Sequence, residues 1–285
     1  MISPRLLRRR IRSVQSTAKI TRAMEMIATA KMRRAQERAL AGRPYSQKIS
    51  HVIADLAAQP ATGIPIHPLL ARRQVKRIAI VHVTSDRGLC GGLNANLNRH
   101  TGKFILEQAV PVTIIAVGIK GRDFMRRAQR DLRAEFTKLS DRPVLADTLA
   151  ISHIVMDDYT SGYVDQIYLS YSRFINIMSQ KPEVERLLPV EPPSASEEGM
   201  ADYIFEPDFR FVLGELLPRF VEMRIYHAIL EAIASEQSAR MIAMRNATEN
   251  ANEIVADLTL TLNKARQDMI TKELLDISGG VEVMK

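Results

Sequence analysis

Tryptophan is absent from the 285-residue chain, aromatic residues make up only 5% of it, and there is a single cysteine, Cys90. One cysteine excludes an intramolecular disulfide and a cysteine-based zinc site, and fits a reducing compartment. Few aromatics beside frequent Ala and Met suit close helix packing better than an aromatic-rich β-sandwich. No run of about 18 consecutive apolar residues occurs, so no segment has the length and apolarity of a membrane-spanning helix. A hydrophobic content of 46% is still enough for a genuine core, which excludes a disordered chain and allows one large domain or two small ones.

Helix breakers are missing where they matter most. The chain holds thirteen Gly and thirteen Pro, yet none falls between Pro4 and Gly42 or between Pro218 and Gly279. In the first stretch Leu7, Ile11, Val14, Ala18, Thr21, Glu25, Ala28, Met32, Ala35 and Ala39 alternate spacings of four and three, the seam of a coiled coil. The second repeats the pattern through Leu230, Ala234, Gln237, Met241, Met244, Thr248, Ala251, Val255, Leu258, Leu262, Ala265 and Met269. Two seams predict one paired structure, with the polar positions Thr21, Glu25, Gln237 and Thr248 setting its register.

At 1.5 Å per residue the breaker-free C-terminal stretch spans roughly 90 Å and the N-terminal one about 55 Å. A compact globule of this chain length is only about 50 Å across, so both are expected to project. Antiparallel packing is expected, because the intervening domain must begin and end at the same end of the pair, with the last turns continuing past the partner as a single helix.

Charge is uneven. Residues 1–59 hold ten Arg, three Lys and three acids, a net +10 that leaves −2 of the total +8 for the rest. Residues 208–285 carry nine basic and twelve acidic side chains, which favours pairing of the two ends. Arg5, Arg8, Arg9, Arg10 and Arg12 have the look of a transit peptide, but the apolar spacing continues in phase for thirty residues, which a cleaved leader has no reason to do. Such a basic block suits nucleic acid, anionic lipid or an acidic protein surface. Lys31, Arg33, Arg34 and Arg38 form a basic face that is either solvated or a docking strip for an acidic partner.

Residues 75–206 read as alternating strands and helices. Val75 to Val83, Val110 to Val117 and Val164 to Tyr171 are β-branched apolar runs of strand length. Amphipathic stretches near Leu93 to Ala109, Lys120 to Arg130 and Ala146 to Tyr159 lie between them, which predicts a mainly parallel sheet covered by helices. The division expected is an N-terminal helix over 1–59, a linker over 60–74, an α/β domain over 75–206 and a C-terminal helix over 207–285, with Pro189 to Gly199 as a surface loop.

Catalytic chemistry finds little support. Ser85 to Asn94 (SDRGLCGGLN) follows a strand and leads into a helix, where glycine-rich loops often hold phosphate, but it lacks both G-x-G-x-x-G and the Lys-Ser/Thr of a P-loop. Glycine's conformational freedom makes a tight strand-to-helix turn the better account. Cys90 with His82 would make a nucleophile and base, against which a buried structural histidine and a small buried thiol are the ordinary readings. The six histidines at 51, 67, 82, 100, 153 and 227 have no ligand spacing, so no metal or cofactor site is expected.

Ile11 to Gln36 and Ser235 to Gln267 resemble the two shaft helices of the γ subunit of the F-type ATP synthase. SDRGLCGGLN, Phe174 to Gln180 (FINIMSQ) and Asp202 to Asp208 (DYIFEPD) are similar to motifs of that family's central domain. The resemblance implies an antiparallel two-helix coiled coil of the N- and C-terminal segments, with a central Rossmann-like α/β domain. It also implies a rotor: one copy inside a hexamer of three α and three β subunits, attached below to the c-ring and the ε subunit. That rotor couples proton or sodium flow to ATP synthesis or hydrolysis while binding no nucleotide, and it is no enzyme by itself. Carried over by position, Met24, Arg240, Arg266, Gln267 and Thr271 match residues that meet the hexamer. Lys31, Arg33 and Arg34 would oppose an acidic loop of β, and Tyr203 and Glu206 match the foot on the c-ring. Peripheral attachment to the cytoplasmic face of a bacterial plasma membrane is implied. Ser16, Glu249 and the charged end Val281 to Lys285 depart from the family pattern, and the two-cysteine insertion of the chloroplast form is missing. The rival readings are a basic coiled-coil arm that binds nucleic acid and a nucleotide-using α/β enzyme.

Overall fold

The computed structural model describes residues 3–58, 67–190 and 209–283. Two helices dominate it, α1 (Pro4–Ala58) and α5 (Phe209–Val283). Between them lie β1 (Ile78–Val83), α2 (Leu93–Glu107), β2 (Val112–Val117), α3 (Ile119–Arg127), β3 (Asp131–Phe136), α4 (Leu145–Thr160), β4 (Gln166–Phe174) and β5 (Gln180–Leu188). The chain divides into two compact units, residues 1–28 with 240–285 and residues 29–239. Both boundaries fall inside α1 and α5, so each long helix contributes to each unit.

Both helices run through breakers. α1 continues past Gly42 and Pro44, and α5 begins nine residues before Pro218. Proline in a helix interior forfeits one backbone hydrogen bond. Around Pro218 burial compensates, since Leu213, Leu217 and Val221 on neighbouring turns are all withdrawn from water.

In the larger unit the five strands lie in the order β3-β2-β1-β4-β5. β1 pairs in parallel with β2 and β4, β2 in parallel with β3, and β5 closes the edge antiparallel to β4. All six residues of β1 are buried, as a central parallel strand covered on both faces requires. Alternate residues divide the core. Ile78, Ile80, Ile114 and Ala116 pack with Ile105 of α2 and Met125 of α3. Ala79, Val81, Val83, Ile115 and Val117 pack with Ile151, Val155 and Tyr159 of α4 and with Leu217, Val221 and Ile225 of α5. The sheet is therefore doubly wound and Rossmann-like, with α5 as one of its covering helices.

Serines hold α5 against the sheet. Ser235 Oγ donates to the Ser172 carbonyl at 2.8 Å, and Ser238 Oγ to the Ile177 carbonyl at 2.6 Å. The FINIMSQ segment is the β4–β5 hairpin turn that receives the second bond; Asn176 Oδ1 accepts from the backbone N–H groups of Met178 and Ser179 and shapes it.

A polar cluster sits inside the α2 face. His82 is fully buried, with Nε2 2.8 Å from Asn98 Oδ1 and Nδ1 3.2 Å from Ser170 Oγ. Burial pushes its imidazolium pKa down to about 4, only partly offset by the Asn98 hydrogen bond. The unfolded chain, near 6.5, therefore binds the extra proton first, and stability falls as pH drops from 6.5 towards 4. Unfolding free energies from urea titrations at pH 4.5 and 7.5 should differ by roughly 2 kcal/mol more in the wild type than in His82→Gln; equal differences in the two proteins contradict the assignment.

Candidate functional site

The smaller unit is a pair of helices, and the seam foreseen in the sequence is the buried stripe. Leu7, Ala18, Thr21, Glu25 and Ala28 on α1 face inward, as do Met241, Met244, Thr248 and Ala251 on α5. Ile11, Val14 and Met24 are half-buried beside them. The helices are antiparallel, since Thr21 meets Thr248 while Glu25, further along α1, meets Arg245, further back on α5.

These contacts are polar. The hydroxyls of Thr21 and Thr248 lie 2.7 Å apart inside the seam, and each is also placed to donate to a carbonyl of its own helix, Thr21 to Ala18 and Thr248 to Met244. Glu25, 7% exposed, receives Arg245 Nε at 3.0 Å and Arg22 Nη1 at 3.4 Å. Arg245 was not anticipated from the sequence. It lies one position past the seam residue Met244, where the heptad pattern gives no signal, and its pairing runs against the bulk charges because the acid stands on the basic helix.

Burial along α5 fades toward its end. Ala251 is 5% exposed, whereas Met269 is 44% and Leu274 62% exposed. Extending the register of the two polar pairs sets Pro4, where α1 begins, level with roughly residue 265 of α5. Ile270, Leu274, Leu275 and Ile277 lie beyond that point and are exposed on a single helix.

The residues singled out from the sequence fall into distinct settings. Arg266, Gln267 and Thr271 are exposed on the last part of α5. Arg240 differs, being only 9% exposed. Arg33 and Arg34 are exposed, and Arg33 pairs with Glu37 at 3.4 Å. Lys31 is bound within its own unit, 2.6 Å from Asp141 Oδ2 in the segment that follows β3. Tyr203 and Glu206 lie outside the described residues, as does the Pro189 to Gly199 loop beyond Val190.

The glycine-rich loop folds on itself. Asn94 Nδ2 donates to Ser85 Oγ at 2.7 Å and Ser85 Oγ donates to the Arg87 carbonyl at 2.7 Å. Gly91 takes φ 58, the left-handed region that favours glycine. Cys90 is buried beside Asn94, while His82 is committed to Asn98 and Ser170, so the two form no nucleophile and base pair. A cleft of about 560 Å³ lies at the carboxyl ends of β1 and β2, where doubly wound sheets take ligands. Here Asp86 fills the anion position: Oδ1 accepts the Ile119 N–H at the start of α3 at 3.0 Å, and Oδ2 accepts the Lys138 N–H. Gly118, at φ 97, admits no side chain, as a Cβ there would lie 2.1 Å from the Thr84 carbonyl oxygen. Among the described residues no three His, Cys, Asp or Glu are grouped to hold a metal ion, and no helix is long and apolar enough to cross a membrane.

Comparison with known proteins agrees with this arrangement. The family described as ATP synthase matches residues 3–284. The ATP synthase gamma chain of Dehalococcoides mccartyi is 59% identical over 284 residues, covering the whole of both chains. That of Roseiflexus sp. is 50% identical over 288 residues, covering all of this chain and 99% of the other. Among solved structures, a chain of the Euglena gracilis mitochondrial ATP synthase in rotational state 3 aligns with a TM-score of 0.68 at 22% identity, over 99% of this chain and 94% of that one. A chain of the Tetrahymena thermophila central stalk and c-ring aligns with a TM-score of 0.62 at 24% identity, over 80% and 99%. These structural likenesses establish the fold, and the sequence relatives establish the family. Neither supports a nucleic-acid-binding arm. A doubly wound sheet and an antiparallel helix pair, in a chain matched from end to end by such relatives, place it in the γ chain family of the F-type ATP synthase as a non-catalytic subunit.

Proposed function

We propose that the chain is the central rotor stalk of an F-type ATP synthase, carrying torque between a membrane c-ring and a catalytic hexamer of α and β subunits. The observation that carries this reading is the antiparallel seam locked by Thr21 with Thr248 and by Glu25 with Arg245. A shaft must resist slip between its helices, and a buried hydroxyl pair next to a buried carboxylate resists it where Ala-rich packing alone does not. One copy inside a threefold hexamer supplies the asymmetry that drives the β sites through different states. The coupling ion is a proton or sodium.

Within this reading the residues divide by exposure. Arg266, Gln267 and Thr271, open to solvent, hydrogen-bond to loops of the catalytic subunits, and Met24, level with Arg245 and lower on the shaft, meets the hexamer nearer Arg240. Arg33 and Arg34 oppose an acidic loop of β, while Lys31 is held by Asp141 and braces α1 against the α/β domain. Arg240, 9% exposed, would engage those loops through the part of its guanidinium that remains accessible. Tyr203 and Glu206 form the foot on the c-ring, with ε beside it. The shaft helices over 1–59 and 207–285, the linker over 60–74 and the α/β domain over 75–206 are the working parts. The assembly is peripheral, on the cytoplasmic face of a bacterial plasma membrane.

Tagged chain purified with its complex should retain three copies each of two larger nucleotide-binding chains per copy. Recovery of the chain with nucleic acid, and without those partners, contradicts the proposal. A double-mutant cycle over Glu25→Gln and Arg245→Gln should return a coupling energy of about 1 kcal/mol, modest because the arginine is half exposed. Each single variant should lower ATP-driven ion pumping several-fold more than ATP hydrolysis. Zero coupling energy together with unaltered pumping removes the register role.

A further inference from the structure

Outside the shaft, the cleft at the amino ends of the parallel strands is unexplained. It encloses about 450 Å³ and is lined by Arg73, Lys76 and Arg77 before β1, Pro111 before β2, and Tyr163 and Asp165 before β4. Its one acid is spent, since Asp165 Oδ2 accepts the backbone N–H groups of Lys76 and Arg77 at 2.8 and 3.2 Å. The bases are not. Among the described residues no carboxylate pairs with the side chain of Lys76 or Arg77. The Arg77 guanidinium stacks on the Tyr163 ring at 4.6 Å, with Arg133 over the same ring at 4.9 Å. Arg133 is neutralised by Asp158, and Arg73 gives one N–H to the Tyr159 carbonyl. A tyrosine holding a guanidinium at a cleft mouth, beside an exposed ammonium, is a pre-positioned receptor for a phosphate oxygen. The cluster escaped the sequence reading because the charge of residues 60–285 averages to −2.

Its place in the fold indicates the source of the phosphate. α5 meets the carboxyl end of β4 through Ser235 and Ser172, and meets Glu185, level with Leu169 in mid-strand, through Arg224 at 2.8 Å. Falling residue numbers on α5 thus lead towards the amino ends of the strands, so the start of α5 and this cleft share one end of the larger unit. In the function proposed above, the segment just before α5 is the foot on the c-ring, so this end faces the membrane. Resting on that reading, we propose that the cleft formed by Arg73, Lys76, Arg77 and Tyr163 binds the phosphate of an anionic lipid headgroup.

The test is co-sedimentation of the full chain with vesicles of phosphatidylcholine containing phosphatidylglycerol, compared with phosphatidylcholine alone. Lys76→Gln/Arg77→Gln should weaken binding to the anionic vesicles roughly 30-fold, and Lys76→Gln alone, at an exposed position, roughly fivefold. Arg8→Gln/Arg9→Gln/Arg10→Gln should weaken it less than the cleft variant. Equal binding by the cleft variants and the wild type overturns the proposal, as does loss confined to the Arg8–Arg10 variant. Binding of inorganic phosphate at the cleft, with vesicle binding unchanged in the variants, overturns the lipid assignment in favour of a free anion. Failure of the rotor reading shows separately, because the Lys76→Gln/Arg77→Gln synthase should still assemble and hydrolyse ATP at the wild-type rate.

Discussion

Everything in the smaller unit depends on a seam built from small side chains being prevented from sliding. Ala18, Ala28 and Ala251 let the helices approach closely, but an alanine knob fills little of its hole and distinguishes poorly between neighbouring registers. The hydroxyl contact between Thr21 and Thr248 and the carboxylate of Glu25 under Arg245 supply that distinction. A shift by one heptad would break the contact between the two hydroxyls and take Arg245 from the Glu25 carboxylate, leaving only the bonds each group makes along its own helix, to Ala18, Met244 and Arg22. The polar groups therefore specify more than they stabilise.

The larger unit applies the same economy to α5. Leu217, Val221 and Ile225 complete the core on one face of the sheet, while Ser235 and Ser238 bond to backbone carbonyls at the carboxyl end of β4. A helix fixed by both apolar burial and directional hydrogen bonds cannot rotate about its axis independently of the sheet. Lys31 and Asp141 add a tether from α1. Because α5 is one continuous helix from Phe209 to Val283, it belongs to the sheet's core and to the locked pair alike.

Much of this was legible in the sequence, for physical reasons that can be named. The seam positions repeat every three and four residues and their burial follows that repeat, because a long helix pair has no other way to hide apolar surface. The central strands β1, β2 and β4 stood out as β-branched runs because parallel strands are covered on both faces. β3 (DLRAEF) and β5 (QKPEVERLL) did not. Both are edge strands, alternating or charged, and Pro182 sits on the outer one, as edges that avoid further pairing require. Pro218 stands inside α5, a local breaker outweighed by the core around it. Partners remote in sequence, such as Asp141 for Lys31 and Arg245 for Glu25, leave no periodic trace and needed the structure. The glycine-rich loop was legible as a turn, but the role of Asp86 in occupying the start of α3 was not.

Torque transmission requires the two shaft helices to turn as one body in the register seen here. Its most direct test is a disulfide between Thr21→Cys and Thr248→Cys, whose hydroxyls at 2.7 Å put the replacement sulfurs within bonding reach, while Cys90 stays buried. Mild oxidation of the assembled synthase should close this bond in nearly every copy and leave ATP-driven ion pumping intact. Failure of the bond to form, or pumping that is lost on oxidation and regained with reductant, would mean that the helices are paired differently or must move past each other.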